Sequence, residues 1–85
     1  MYYLITYDLN KVGQDYTGLL NQIKTYTHIK PMKSAWFIKT SDPTAETVYN
    51  KLAKFIDKND QLLVMEIHRN RWGWLPQPCW DFLKS

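Results

Sequence analysis

Tyr2-Tyr3-Leu4-Ile5-Thr6-Tyr7 is a run of aromatic and branched side chains, apolar at odd and even positions alike. Such a run suits a central strand covered on both faces. Alternation puts Tyr3, Ile5 and Tyr7 on one side and Tyr2, Leu4 and Thr6 on the other. Asp8 and Asn10 end the run, because both residue types disfavour strands and favour turns. Lys11-Val12-Gly13-Gln14-Asp15 reads as a polar turn whose last residue caps a helix. Tyr16, Leu19, Leu20, Ile23 and Tyr26 then recur at helical spacing, with Asn21 and Lys24 opposite them, which predicts a helix over about 15–26.

Ala35 to Thr40 is again strand-like. Pro31 cannot donate to a ladder, so the stretch before it is expected to be a short edge strand, joined through a turn near Lys33-Ser34. In Ser41-Asp42-Pro43-Thr44 the pattern makes Asp42 a helix cap and Pro43 the first helical residue. Ala45, Val48, Tyr49, Leu52, Phe55 and Ile56 carry that helix to about Asp57, with Lys51, Lys54 and Lys58 on a solvated outer face. Gln61 to His68 is the last strong strand. Beyond it the alternation stops: Arg69-Asn70-Arg71-Trp72-Gly73-Trp74-Leu75-Pro76-Gln77-Pro78-Cys79-Trp80-Asp81-Phe82-Leu83 has two prolines, which rule out one long element, and allows a short helix over about 78–83. Its three Trp and one Phe are expected to bury, either on their own sheet or on a partner.

The order strand, helix, hairpin, helix, strand predicts an α+β chain of ferredoxin-like βαββαβ type, with an antiparallel sheet and two helices on one face. It reads as one domain, 1–85, with a core over 1–68 and a Trp-rich tail over 69–85. The sheet face away from the helices is left open, and a second subunit packed sheet to sheet would close it. Composition points the same way. In 85 residues, 15% of them aromatic, so much large apolar surface is hard to hide in one small core. A homodimer is the expected remedy.

The single Cys79 excludes a disulfide framework, and one thiol with two separated histidines, His28 and His68, makes no four-ligand zinc site. No stretch reaches the ~18 apolar residues of a membrane span, and no apolar leader opens the chain, so a cytoplasmic protein is expected. The net charge of +3 permits phosphate binding without demanding it. There is no glycine-rich phosphate loop, nucleophile elbow, paired-histidine zinc helix or dinucleotide fingerprint.

The chemistry therefore concentrates on two stretches. Asp8 is a carboxylate at the end of a rigid buried strand, and Tyr7, Asn10 and Ser34 are the candidate ligand contacts beside it. Arg69, Arg71 and Trp72 alternate cationic and aromatic groups in a way that clamps phosphates and stacks bases, or that buries a tail by cation–π pairing.

Tyr2 to Asp8, the hairpin strand Ser34-Ala35-Trp36-Phe37 and the final strand before an irregular tail together resemble the Cas-two family of small CRISPR-associated adaptation proteins, and more closely its stand-alone relatives. The resemblance spans roughly residues 1–68; its specific element is Asp8 preceded by Tyr7. It implies a homodimer in which Asp8 of each subunit faces its twin and holds a divalent metal, Mg2+ or Mn2+. It further implies binding of RNA or DNA, with metal-dependent nuclease activity in some members and a scaffold role in others. The Trp-rich tail departs from the pattern, since the family usually has there a strand that pairs with the partner. Three readings stay open: a dimeric binder of nucleic acid or another phosphate-bearing ligand, a metal-dependent endonuclease with Asp8 as catalytic ligand, and a non-enzymatic regulatory protein that docks through its aromatic tail.

Overall fold

β1 (Tyr2–Asp8) lies between two neighbours, as its two-sided apolarity requires. It runs antiparallel to β3 (Ala35–Lys39), with Tyr2 opposite Lys39 and Thr6 opposite Ala35. On its other side it runs antiparallel to β4 (Gln61–Glu66), with Asp8 opposite Gln61. β2 (Thr27–Met32) completes the sheet at the far edge of β3, in the order β2-β3-β1-β4. The computed structural model describes residues 1–10 and 15–85, so the polar turn expected at 11–14 lies outside the described residues. With helices α1 (Thr17–Lys24) and α2 (Ala45–Ala53), the strands follow the ferredoxin-like order.

The two edges differ. β2 carries Pro31, and its register with β3 shifts between Ile29 and Met32. Both features blunt an edge. β4, Gln61-Leu62-Leu63-Val64-Met65-Glu66, has neither proline nor lysine.

α1 and α2 cover one face. Leu19 and Ile23 from α1 and Val48 and Leu52 from α2 are buried against Tyr3, Ile5, Trp36, Ile38 and Val64. At Gly18 of α1 an added Cβ would stand 2.7 Å from the ring of Phe55, which follows α2, so glycine leaves that ring its room. Their ends depart from the expected pattern. The Asp15 carboxylate accepts the Thr17 N–H (2.9 Å), regular helix begins two residues later than the spacing suggests, and hydrogen bonding from the Thr17 side chain first and its backbone second holds the carboxyl below its usual range. α2 is capped by Thr44, whose hydroxyl accepts the Thr47 N–H (3.1 Å), and not by Asp42. Asp42 sits too early for the cap and is spent on tertiary bonds instead. Its carboxylate takes the Tyr26 hydroxyl (3.1 Å) and Lys51 Nζ (2.9 Å), and its carbonyl takes the Tyr3 hydroxyl (2.8 Å). α2 stops at Ala53 rather than near Asp57. Phe55 and Ile56 donate three residues back, to Leu52 and Ala53, which tightens the last turn.

The opposite face is covered by the chain itself. α3 (Gln77–Lys84) lays Cys79 and Leu83 on Phe37, with Tyr2, Leu4, Ile29, Leu75 and Phe82 around them. The tail therefore wraps its own sheet, and the face expected to await a second subunit is partly closed in cis. The expectation that all the tail Trp residues bury is corrected: Trp72 is 100% exposed and Trp74 85%. Pro76 and Pro78 start α3 only after this stretch, and between Ile67 and α3 only Leu75 packs back on the second core.

Candidate functional site

In an antiparallel sheet, residues directly opposite each other share a face. The register therefore sets Met32, Ala35, Thr6 and Leu63 in one row across the second face, with Asp8 and Gln61 beyond it at the rim. α3 covers the rows nearest Tyr2. Met32 and Leu63, in the Thr6 row, stay about half exposed, as does Met65 opposite Leu4 on the edge strand β4. The rim holds a shallow depression of about 300 Å3 lined by Thr6, Tyr7, Asp8, Gln61, Leu62 and Leu63.

Asp8 is exposed, and its carboxylate has no hydrogen bond or ion pair among the described residues. Its neighbours are tied to the fold. The Tyr7 ring packs on the helix-side core, and its hydroxyl accepts Trp36 Nε1–H (3.0 Å), so it points away from the rim. Asn10 donates its N–H to Asp60 (2.9 Å) and its amide to the Asn59 carbonyl (3.2 Å), which clasps the chain after β1 to the turn before β4. Ser34 takes part through its backbone: its carbonyl accepts the Tyr7 N–H (3.3 Å) and the Thr6 hydroxyl (2.9 Å). Of the four residues expected here, Asp8 is the one with an unengaged charged group among the described residues, while Tyr7 is held by Trp36 and Asn10 and Ser34 bond the backbone around it.

A second carboxylate at this end was not singled out by sequence. Asp60 is 9% exposed and accepts from Asn10, from the Tyr16 hydroxyl (2.6 Å) and from the Asp57 N–H (2.8 Å). It is a structural knot that joins β1, α1 and the turn before β4. The histidines stay peripheral: His28 packs edge-on to Trp36 (5.5 Å) and His68 lies beside Glu66 (3.6 Å).

Arg69, Arg71 and Trp72 do come together, but at the other end of the sheet. β4 starts beside Asp8 and leaves beside Tyr2, where the Ile67 N–H bonds the Tyr2 carbonyl. The length of β1, roughly 20 Å at 3.3 Å per residue, therefore separates the two groups. They line a cleft of about 450 Å3 that also includes Gln77, Trp80 and Lys84. Those three were missed, although their spacing of three and four residues on a short helix already set them on one face.

Among the described residues no group of three or more His, Cys, Asp or Glu side chains could hold a metal ion. Asp8 is a single carboxylate at the rim with no ion pair among the described residues. A hydrated hard cation is commonly held by one or two carboxylates, so two copies of Asp8 would fit Mg2+ or Mn2+. No helix of the described residues is long and apolar enough to cross a membrane.

The family model of CRISPR associated protein Cas2 matches residues 1–74. A crystal structure of a hypothetical protein from Thermus thermophilus superposes with a TM-score of 0.64 at 18% identity, covering 88% of this chain and 93% of that one. It shows a shared fold. No curated protein matches the chain.

Proposed function

Because the chain belongs to the family of the CRISPR associated protein Cas2, we propose that it works as a homodimer that binds nucleic acid, with the Asp8 carboxylates of the two copies gathered at the binding face. The observation that carries this reading is the rim itself. A bare acid stands just beyond the row that carries half-exposed Met32 and Leu63, on the part of the sheet that α3 leaves uncovered. An apolar strip of this kind is what a second copy covers, and covering it would bring the two rim acids into one neighbourhood. Asp8 is then the ligand for Mg2+ or Mn2+. When bound, such an ion neutralises phosphate charge and supplies an acidified water. Thr6 and Gln61 flank the carboxylate, and Asn10 and Ser34 fix the backbone that carries it.

The test is sedimentation together with Mn2+ titration. The protein should sediment as a dimer and bind about one ion per two chains, as a shared pair of carboxylates requires. Asp8→Ala should keep the dimer and lose the ion, and with it any ion-dependent cleavage of RNA or DNA. A monomer at high concentration, or unchanged Mn2+ binding in Asp8→Ala, would overturn the reading.

A further inference from the structure

The rim leaves the chain's most exposed aromatic side chains without a task. Trp72 stands fully in water, so its indole contributes nothing to this fold. It borders the tail cleft together with Arg69, Arg71, Gln77, Trp80 and Lys84. Three cations line that space and no carboxylate does. Arg69 and Lys84 have no ion pair among the described residues. Arg71 gives one Nη1–H to the His68 carbonyl (2.9 Å), which fixes its guanidinium and leaves the other donors available. The adjacent acid, Asp81, accepts the Gln77 amide N–H (2.9 Å), and this leaves the Gln77 carbonyl oxygen as an acceptor. α3 holds Gln77, Trp80 and Lys84 rigidly, because its other side, Cys79 and Leu83, is buried on Phe37.

We propose that this cleft binds an unpaired nucleotide within a single strand of nucleic acid. The base lies against the Trp72 and Trp80 indoles, and its flanking phosphates meet Arg69, Arg71 and Lys84. Two observations select this occupant. The lining charge is wholly positive, as a phosphate chain needs. Trp72 is fully exposed and Trp80 partly so, and a base can stack on an exposed indole only when it is unstacked from a duplex, so a duplex is excluded from the site. At about 450 Å3 the cleft falls within the range of small-ligand sites, roughly 300–1,000 Å3, and suits one nucleotide. The inference rests on the nucleic-acid reading above, but it places the contact at the opposite end of the sheet from Asp8.

The test uses the full chain and short labelled oligonucleotides of mixed sequence, as single-stranded DNA, single-stranded RNA and duplex. Single strands should bind about tenfold more tightly than the duplex and should quench tryptophan fluorescence. Trp72→Ala should weaken single-strand binding by roughly tenfold, Trp72→Phe should restore most of it, and neither should move the unfolding midpoint. Arg69→Ala and Lys84→Ala should each lower the salt dependence of binding by about one phosphate contact. Glu46→Gln, exposed in the first turn of α2 and outside both sites, should leave single-strand affinity unchanged. The cleft assignment falls if Trp72→Ala binds like the parent or if duplex binds equally well; nucleic-acid binding that persists and is lost in Asp8→Ala would then leave the rim reading standing alone. It also falls if Trp72→Ala changes the sedimentation coefficient, which would give the cleft to a contact between copies or to a protein partner. If no nucleic acid binds even at low salt, both readings fail together.

Discussion

The two faces of the sheet are closed by unequal means. On one, two helices bury Tyr3, Ile5, Ile38, Val48 and Leu52 completely. On the other, one eight-residue helix seals the rows near Tyr2 and leaves Met32, Leu63 and Met65 half in water. The first face is a finished core. The second is a core at one end and a surface at the other, and the candidate chemistry lies where its cover stops: Asp8 past the uncovered rows, the cationic cleft against the outer side of α3. Stability and function are thus divided by face and by row.

That division can be broken by experiment. Leu52→Ala, at a fully buried site between α2 and the sheet, should lower unfolding free energy by about 3–5 kcal/mol in urea titration. Leu83→Ala, the matching truncation in α3, should cost less, about 2–3 kcal/mol, because solvent reaches the edge of the second core. Equal losses would show the second face to be as tightly built as the first. A smaller effect appears at alkaline pH. Tyr26 is pushed up to about 12, by burial first and then by its bond to Asp42. The buried Tyr3 phenol is raised in the same direction, again chiefly by burial. The folded state therefore holds these protons more tightly than the unfolded chain does. The stabilisation is complete below the ordinary tyrosine pKa near 10 and is lost as pH rises toward 12. The melting temperature should fall across that window, and Tyr26→Phe should flatten the fall. The smallest stability change belongs to the uncovered rows. Leu63→Ser should stay within about 0.5 kcal/mol for the isolated chain while weakening the dimer in sedimentation. A large loss of chain stability would mean that Leu63 already belongs to a core.

Much of the first face was legible in the sequence, because its information is periodic. The two-sided apolar run placed β1 in the centre, and Val48 and Leu52 fell on the buried side of α2 as their spacing requires. The chain order alone implied the ferredoxin-like arrangement. The second face was harder to read. Cys79 and Leu83 are also helically spaced, but a helix of two turns opened by Pro76 and Pro78 carries too few residues to say what it packs on. Trp72 and Trp80 have the same residue type and opposite fates, and only the path of the chain distinguishes them. The acids show the same limit. Asp8 and Asp60 both sit at strand ends, where turn-forming preference is equal. Asp60 is engaged by Asn10, Tyr16 and Asp57, whereas the Asp8 carboxylate meets no donor among the described residues, a difference set by Asn10 and Tyr16, which approach from elsewhere in the chain. Asp42 lost its expected cap role for a similar reason: Tyr3, Tyr26 and Lys51 converge on it in space.

The unequal borders of the sheet carry a consequence for how copies can accumulate. Along β2, Pro31 and the slipped register disfavour another ladder, whereas β4 carries neither. A strand recruited there, whether from a twin or from another chain, completes the border that, among the described residues, carries no proline or register slip. Growth by that route ends after a single addition, so crowding would favour closed pairs over fibres.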